Sequence, residues 1–173
     1  MAELTYIFRE KYPDTFDTLQ NTSYDKNNDL FMCESSVQVV DFDSVTKKLY
    51  PTKQPSSYDA LLIEEDISSI FCIEFKNQKY ADIKNQNIRK KVIDSTATLQ
   101  KIYKENSISK QQYTHKLCIV YKRDETQYKY RRFKENIVRF GLEDFIGKGV
   151  DSVITNDILF FQREFQKKYG CKK

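Results

Sequence analysis

Asp59, Glu74 and Lys76 are the residues of this 173-residue chain whose types and spacing promise chemistry. Asp59 stands just before the apolar run Leu61-Leu62-Ile63, and Glu74 follows Ile70-Phe71-Cys72-Ile73. If 58–64 and 70–76 form an antiparallel hairpin whose turn is centred between Asp66 and Ile67, opposed residues have numbers summing to 133, and Asp59 faces Glu74. Opposed side chains have Cβ atoms about 5 Å apart, where like charges repel. Two carboxylates held together beside a hydrophobic core must share a proton or a cation. Mg²⁺ is held in this way, by one or two carboxylates plus substrate phosphates. Lys76 lies on the Glu74 face of its strand and adds a positive charge beside the pair. The turn sequence, Glu64 to Ser69, has no Gly or Pro to pin the register, so a slip of a residue or two stays open.

The elements that must carry these residues follow from patterning. Residues 3–12 place Leu4, Ile7, Phe8 and Tyr12 on one helical face, and Pro13 ends the run. Residues 13–30 are polar, with Asn27-Asn28-Asp29 as loop, and 36–45 read as a β-branched strand. A connection rich in Pro and Ser, 50–57, precedes the two strands of the hairpin. A helical stripe then runs over 83–105 through Ile88, Val92, Leu99 and Ile102, with Asp82 as its N-cap. Residues 113–122 read as a strand, 131–140 as a basic helix, and 156–169 as an amphipathic helix capped by Asn156 or Asp157. The segment between those last two helices, around Phe145 to Ile154, reads as loop with room for a short strand. The order is helix, three strands, helix, strand, then helices, an α/β domain with a small mixed sheet.

Asp59, 14 intervening residues and Glu74-Phe75-Lys76, set among apolar strand residues, resemble the signature of the PD-(D/E)xK nuclease superfamily. The resemblance implies a restriction-endonuclease-like αβββαβ core over about residues 3–122. A C-terminal helical extension over about 123–173 would complete one domain of 1–173. It implies a nuclease hydrolysing phosphodiesters with Mg²⁺ or Mn²⁺, with DNA favoured over RNA. By motif position, Asp59, Glu74 and the backbone carbonyl of Phe75 would ligate the metal, and Lys76 would orient or activate the attacking water. Tyr58 stands where the signature has Pro. A further glutamate from the first helix would be Glu10 or Glu34. Gln100 and Tyr103 are three apart, so the QxxxY pattern of some subfamilies is not met.

Charge divides at the same place. Residues 1–75 hold 6 Lys/Arg against 14 Asp/Glu, whereas 76–173 hold 23 against 11. A basic half of this kind fits an anionic partner. Lys84, Arg89, Lys91, Arg131 and Arg132 are the nucleic-acid-binding candidates, and the aromatic and basic run Tyr128–Lys134 suits backbone contact with base stacking. Ordinary solvated helix faces and core aromatics are the competing reading of the same residues. Twelve Tyr and twelve Phe argue against disorder. There is no apolar run of membrane-spanning length and no secretory signal at the N-terminus. The four scattered cysteines lack a CxxC pair and there is one histidine, which reads as an intracellular, cytoplasmic protein without a zinc site. Few glycines and no phosphate-loop motif argue against nucleotide binding. A homodimer is compatible with cutting two strands, although no interface patch is legible. The competing function is a catalytically inactive nucleic-acid-binding or protein-interaction module on the same fold.

Overall fold

Alternating apolar residues on β-strands and stripes on the longer helices assemble a three-layer α/β/α arrangement, seen in a computed structural model that describes residues 3–125 and 138–169. The elements are α1 (Leu4–Lys11), β1 (Phe16–Thr18), α2 (Leu19–Thr22), β2 (Tyr24–Asp25), β3 (Leu30–Phe31), β4 (Gln38–Asp41), α3 (Phe42–Leu49), β5 (Ala60–Glu64), β6 (Ser69–Lys79), α4 (Asn85–Glu105), β7 (Thr114–Lys122), β8 (Ser152–Asp157) and α5 (Ile158–Tyr169). Six strands form one mixed sheet in the order β1-β4-β5-β6-β7-β8. The first four run antiparallel to their neighbours. β6, β7 and β8 are parallel, and α4 is the crossover that a parallel β6–β7 pair requires.

The side-chain period of two divides the sheet into faces. Leu61, Ile70, Cys72, Leu117, Ile119 and Tyr121 join α1, α3 and α4 in one core. Ala60, Leu62, Phe71, Ile73, Phe75, Cys118 and Val120 form the other with Leu19 of α2 and Phe161 of α5. By parity, Asp59, Glu74 and Lys76 belong to the face that α4 covers. β5 and β6 bury every residue from Ala60 to Leu62 and from Ser69 to Phe75, and exposure resumes only at Lys76. Burial on both faces is what near-continuous apolar strands predict, and Glu74 is the charged residue inside that run.

The α/β class with a mixed sheet flanked by helices agrees with the sequence reading, and several details differ. The strand expected over 36–45 stops at Asp41, whose carboxylate accepts the Ser44 N–H at 3.0 Å and caps α3. A side-chain acceptor aimed at the helix N-terminus outweighs the β-branched content of this segment. Asp82 does not cap α4. It lies in a 3₁₀ turn, Tyr80–Asp82, and the capping position belongs to Lys84, whose side chain makes no cap bond. The polar stretch 13–30 contains β1, α2 and β2. The segment read as loop before the last helix ends in β8, a full six-residue strand on the edge of the sheet. Asp157 caps α5 through the Phe160 N–H at 3.0 Å, as its position predicts. The expected basic helix over 131–140, including Arg131 and Arg132, falls mostly on residues outside those described.

Candidate active site

The hairpin register is the first determinant of the site. Ala60 pairs with Ile73, Leu61 with Cys72 and Glu64 with Ser69, so paired numbers sum to 133, as the hairpin reading requires. The regular pairing ends there: the Asp59 N–H donates at 3.0 Å to the carbonyl of Ile73, already the partner of Ala60, so Asp59 is not paired across the ladder with Glu74 as the hairpin reading expects, and the two meet through their side chains in one cleft. A 3₁₀ turn, Glu65–Ile67, closes the hairpin, and Ser68 adopts the left-handed region at φ 46°. A serine accepts there the conformation that usually selects Gly, which is why no turn signal was visible.

Asp59 is placed by three elements. Its backbone is held to β6, and its Oδ2 accepts the Phe75 N–H at 2.6 Å. The chain entering it is held by α4: the Tyr58 N–H donates to Ser95 Oγ at 2.9 Å and the Ser56 N–H to Asp94 Oδ2 at 3.0 Å. The Tyr58 ring, in the position where the resembling motif has Pro, is fully buried and stacks on Phe42. Burial, then the charge of Glu74, hold the Asp59 carboxyl well above the usual carboxylate range; Lys91, the Phe75 N–H and Lys76 pull the other way.

Glu74 is 1 % exposed. Its Oε1 lies 2.9 Å from Lys76 Nζ and 2.6 Å from Lys91 Nζ. Both contacts are ion pairs by distance, yet neither carboxylate oxygen has a hydrogen-bond partner of good alignment among the described residues. An unsatisfied buried carboxylate oxygen costs free energy. Lys91 comes from α4, whose face toward the sheet also carries Ile88, Val92, Ser95 and Leu99. Burial lowers its basicity, but the charges of Glu74 and Asp59 outweigh that and leave the ammonium more basic than usual.

These groups open on a cleft of about 420 Å³ lined by Asp59, Glu74, Phe75, Lys76, Asn77, Lys91 and the β2–β3 hairpin. Asn77 Nδ2 donates to Asp25 Oδ2 at 2.9 Å and ties that hairpin to the end of β6. There the β6–β7 register shifts between Lys76 and Lys79, a bulge of the kind that re-aims side chains near functional sites.

A hard divalent ion calls for oxygen ligands. Asp59 and Glu74 fit that requirement, and the Phe75 carbonyl follows directly in the chain. Among the described residues no group of three or more His, Cys, Asp or Glu side chains gathers to hold a metal. Glu10 is exposed on α1 and accepts a hydrogen bond from Tyr6, Glu34 is exposed, and neither lines the cleft. The other basic candidates are separated from the site. Lys84 is exposed ahead of α4. Arg89 holds the 141–145 segment, donating to the Gly141 carbonyl, pairing with Asp144 at 3.2 Å and stacking on Phe145. Lys91 alone of the described candidates joins Asp59, Glu74 and Lys76. Asp25 and Asn77 carried no local signal, because two-residue strands are too short for periodicity to register.

Compared with known proteins, the chain matches no family profile, no curated sequence and no solved structure. None of the helices among the described residues is long and apolar enough to cross a membrane.

Proposed function

We propose that this chain is a divalent-metal-dependent nuclease of PD-(D/E)xK type, built on a restriction-endonuclease-like core, hydrolysing phosphodiester bonds of nucleic acid, with DNA favoured over RNA. One observation carries the reading: the carboxylates of Asp59 and Glu74 line one cleft beside Lys76, and the buried Glu74 oxygens have no hydrogen-bond partner among the described residues. In this reading Asp59, Glu74 and the Phe75 carbonyl hold Mg²⁺ or Mn²⁺. The ion, when bound, lowers the pKa of water and offsets charge on the attacking and leaving oxygens. Lys76 is one-quarter exposed at the cleft, where its ammonium orients water and stabilises negative charge as it develops on the phosphoryl group. The Phe75 N–H and the Ser95 clamp on Tyr58 keep Asp59 in place. Exposed lysines such as Lys84, with the basic residues Arg131 and Arg132, supply backbone affinity that falls with salt. The buried cysteine thiols of Cys33, Cys72 and Cys118 fit a reducing compartment such as the cytoplasm.

The test is cleavage of plasmid, single-stranded DNA and RNA with Mg²⁺ or Mn²⁺, with Asp59→Ala and Lys76→Ala as controls whose folding is checked by circular dichroism. Loss of divalent-dependent cleavage in both folded variants is the expected result. Salt-sensitive binding without cleavage under any divalent ion would sink the enzymatic reading. It would favour the alternative, a catalytically inactive nucleic-acid-binding or protein-interaction module. The observation favouring that alternative is the neutralisation of Glu74 Oε1 by two lysines.

A further inference from the structure

The centre of the cleft carries two carboxylates, Asp59 and Glu74, and two ammonium groups, Lys76 and Lys91. Asp25 and Lys26 on the overhanging hairpin add one charge of each sign. The formal sum is zero. A neutral constellation exerts little Coulombic pull on a dication, and an added dication leaves two positive charges uncompensated. A phosphodiester backbone brings the missing negative charge. The two lysines are not equivalent in this balance. Both are about one-quarter exposed, but Lys76 follows Glu74 on the same strand, whereas Lys91 reaches Glu74 Oε1 at 2.6 Å from a separate element, α4. Because Lys91 comes from α4 rather than from the strand of Glu74, its ammonium can leave Glu74 without any change in β6, which makes it the group that can exchange partners.

We infer that Lys91 is a displaceable counter-ion of Glu74, which makes the divalent ion and the nucleic-acid phosphate bind together rather than singly. The inference rests on Asp59 and Glu74 being the metal site. With the ion on Glu74, the Lys91 ammonium turns to the incoming phosphate, so each ligand removes the obstacle to the other. Such coupling is reciprocal and of the order of tenfold to a hundredfold.

The experiment is Mn²⁺ binding by electron paramagnetic resonance. It is run with and without a cleavage-resistant phosphorothioate DNA, with a DNA-only blank. The wild-type chain is expected to bind Mn²⁺ weakly alone and at least about tenfold more tightly with the DNA present. Lys91→Gln is expected to tighten binding in the free protein and shrink the difference; Lys91→Arg, which keeps the charge, should preserve it. The wild-type arm needs no variant to fold. Equal Mn²⁺ affinity with and without DNA, or a Lys91→Gln affinity no tighter than wild type, overturns the inference. The nuclease reading survives that result if Asp59→Asn still abolishes the Mn²⁺ signal. No protein-bound Mn²⁺ in any arm overturns both.

Discussion

Glu65 and Glu74 sit on one hairpin and illustrate two uses of a carboxylate. Each oxygen of Glu65 has its own donor: Oε1 accepts the Thr5 N–H at 2.7 Å and Oε2 the Tyr113 hydroxyl at 2.6 Å. Tyr113 in turn accepts the Leu4 N–H at 3.0 Å. Burial, then the bond to Glu65, push its phenol up to about 12. The same end of the sheet holds Tyr103 and His115, joined at 2.6 Å between the hydroxyl and Nε2. This end ties α1, the hairpin turn and β7 together with neutral donors, and none of Glu65, Tyr103, Tyr113 and His115 has a buried side-chain polar atom without a partner. At the other end Glu74 is more deeply buried, has two cations close to Oε1 and has no hydrogen-bond partner on either oxygen among the described residues. Saturation marks the structural carboxylate. Oxygens without a hydrogen-bond donor in a charged cleft mark the one available for a ligand.

That contrast breaks if mutations at the two ends behave alike. Asp59→Asn should lower cleavage by about a thousandfold while the melting temperature stays level or rises, because a carboxylate facing Glu74 is gone. Initial rates beside thermal melts decide this, and a large fall in stability would place Asp59 with the structural group. Glu65→Ala should do the reverse. It leaves the Thr5 N–H without its acceptor and the Tyr113 hydroxyl without its carboxylate, at about 2 kcal/mol in urea denaturation, with cleavage per folded molecule unchanged. Ser95→Ala tests the clamp between the ends. Loss of the acceptor for the buried Tyr58 N–H should cost about 1 kcal/mol and slow cleavage about tenfold as Asp59 shifts; an unchanged rate would free Asp59 from α4.

The smallest effect concerns acid. Burial, with Lys110 adding to it and Asp151 opposing it, holds His115 below its usual value. The unfolded chain then binds the proton first, so stability is full above the unfolded pKa of about 6.5 and declines as pH falls through the window beneath it. Melts at pH 7 and pH 5.5 should show this decline in wild type, and it should shrink in His115→Gln.

The hairpin was legible because two apolar runs of similar length, separated by a short polar turn, admit few registers; with no Gly or Pro in the turn the choice among them stayed open, and the irregular pairing at Asp59 had no signal. The face of Lys76 followed from strand parity alone. Lys91 was visible only as one base among several on a helix. Its meeting with Glu74 depends on how α4 lies across β6, which no local pattern encodes. The helix α3 was hidden because Val39, Val40 and Val45 read as one β-branched run, and the Asp41 cap that divides it is a single side-chain bond. Elements of two or three residues, such as β1, β2 and β3, fall below any period, although β2 and β3 form one wall of the cleft.

The left-handed Ser68 has a bearing on how this chain tolerates insertions and deletions. Five residues of strand, Ala60–Glu64, about 17 Å, separate the turn from Asp59, and nothing between them can absorb a miscount. Adding or removing one residue at the turn would carry Asp59 to the opposite face of the sheet or away from Glu74. A two-residue change would keep the face and shift the partner. The tip of the hairpin thus acts as a counting device for the cleft, and length changes there should be tolerated far less than in the 50–57 connection.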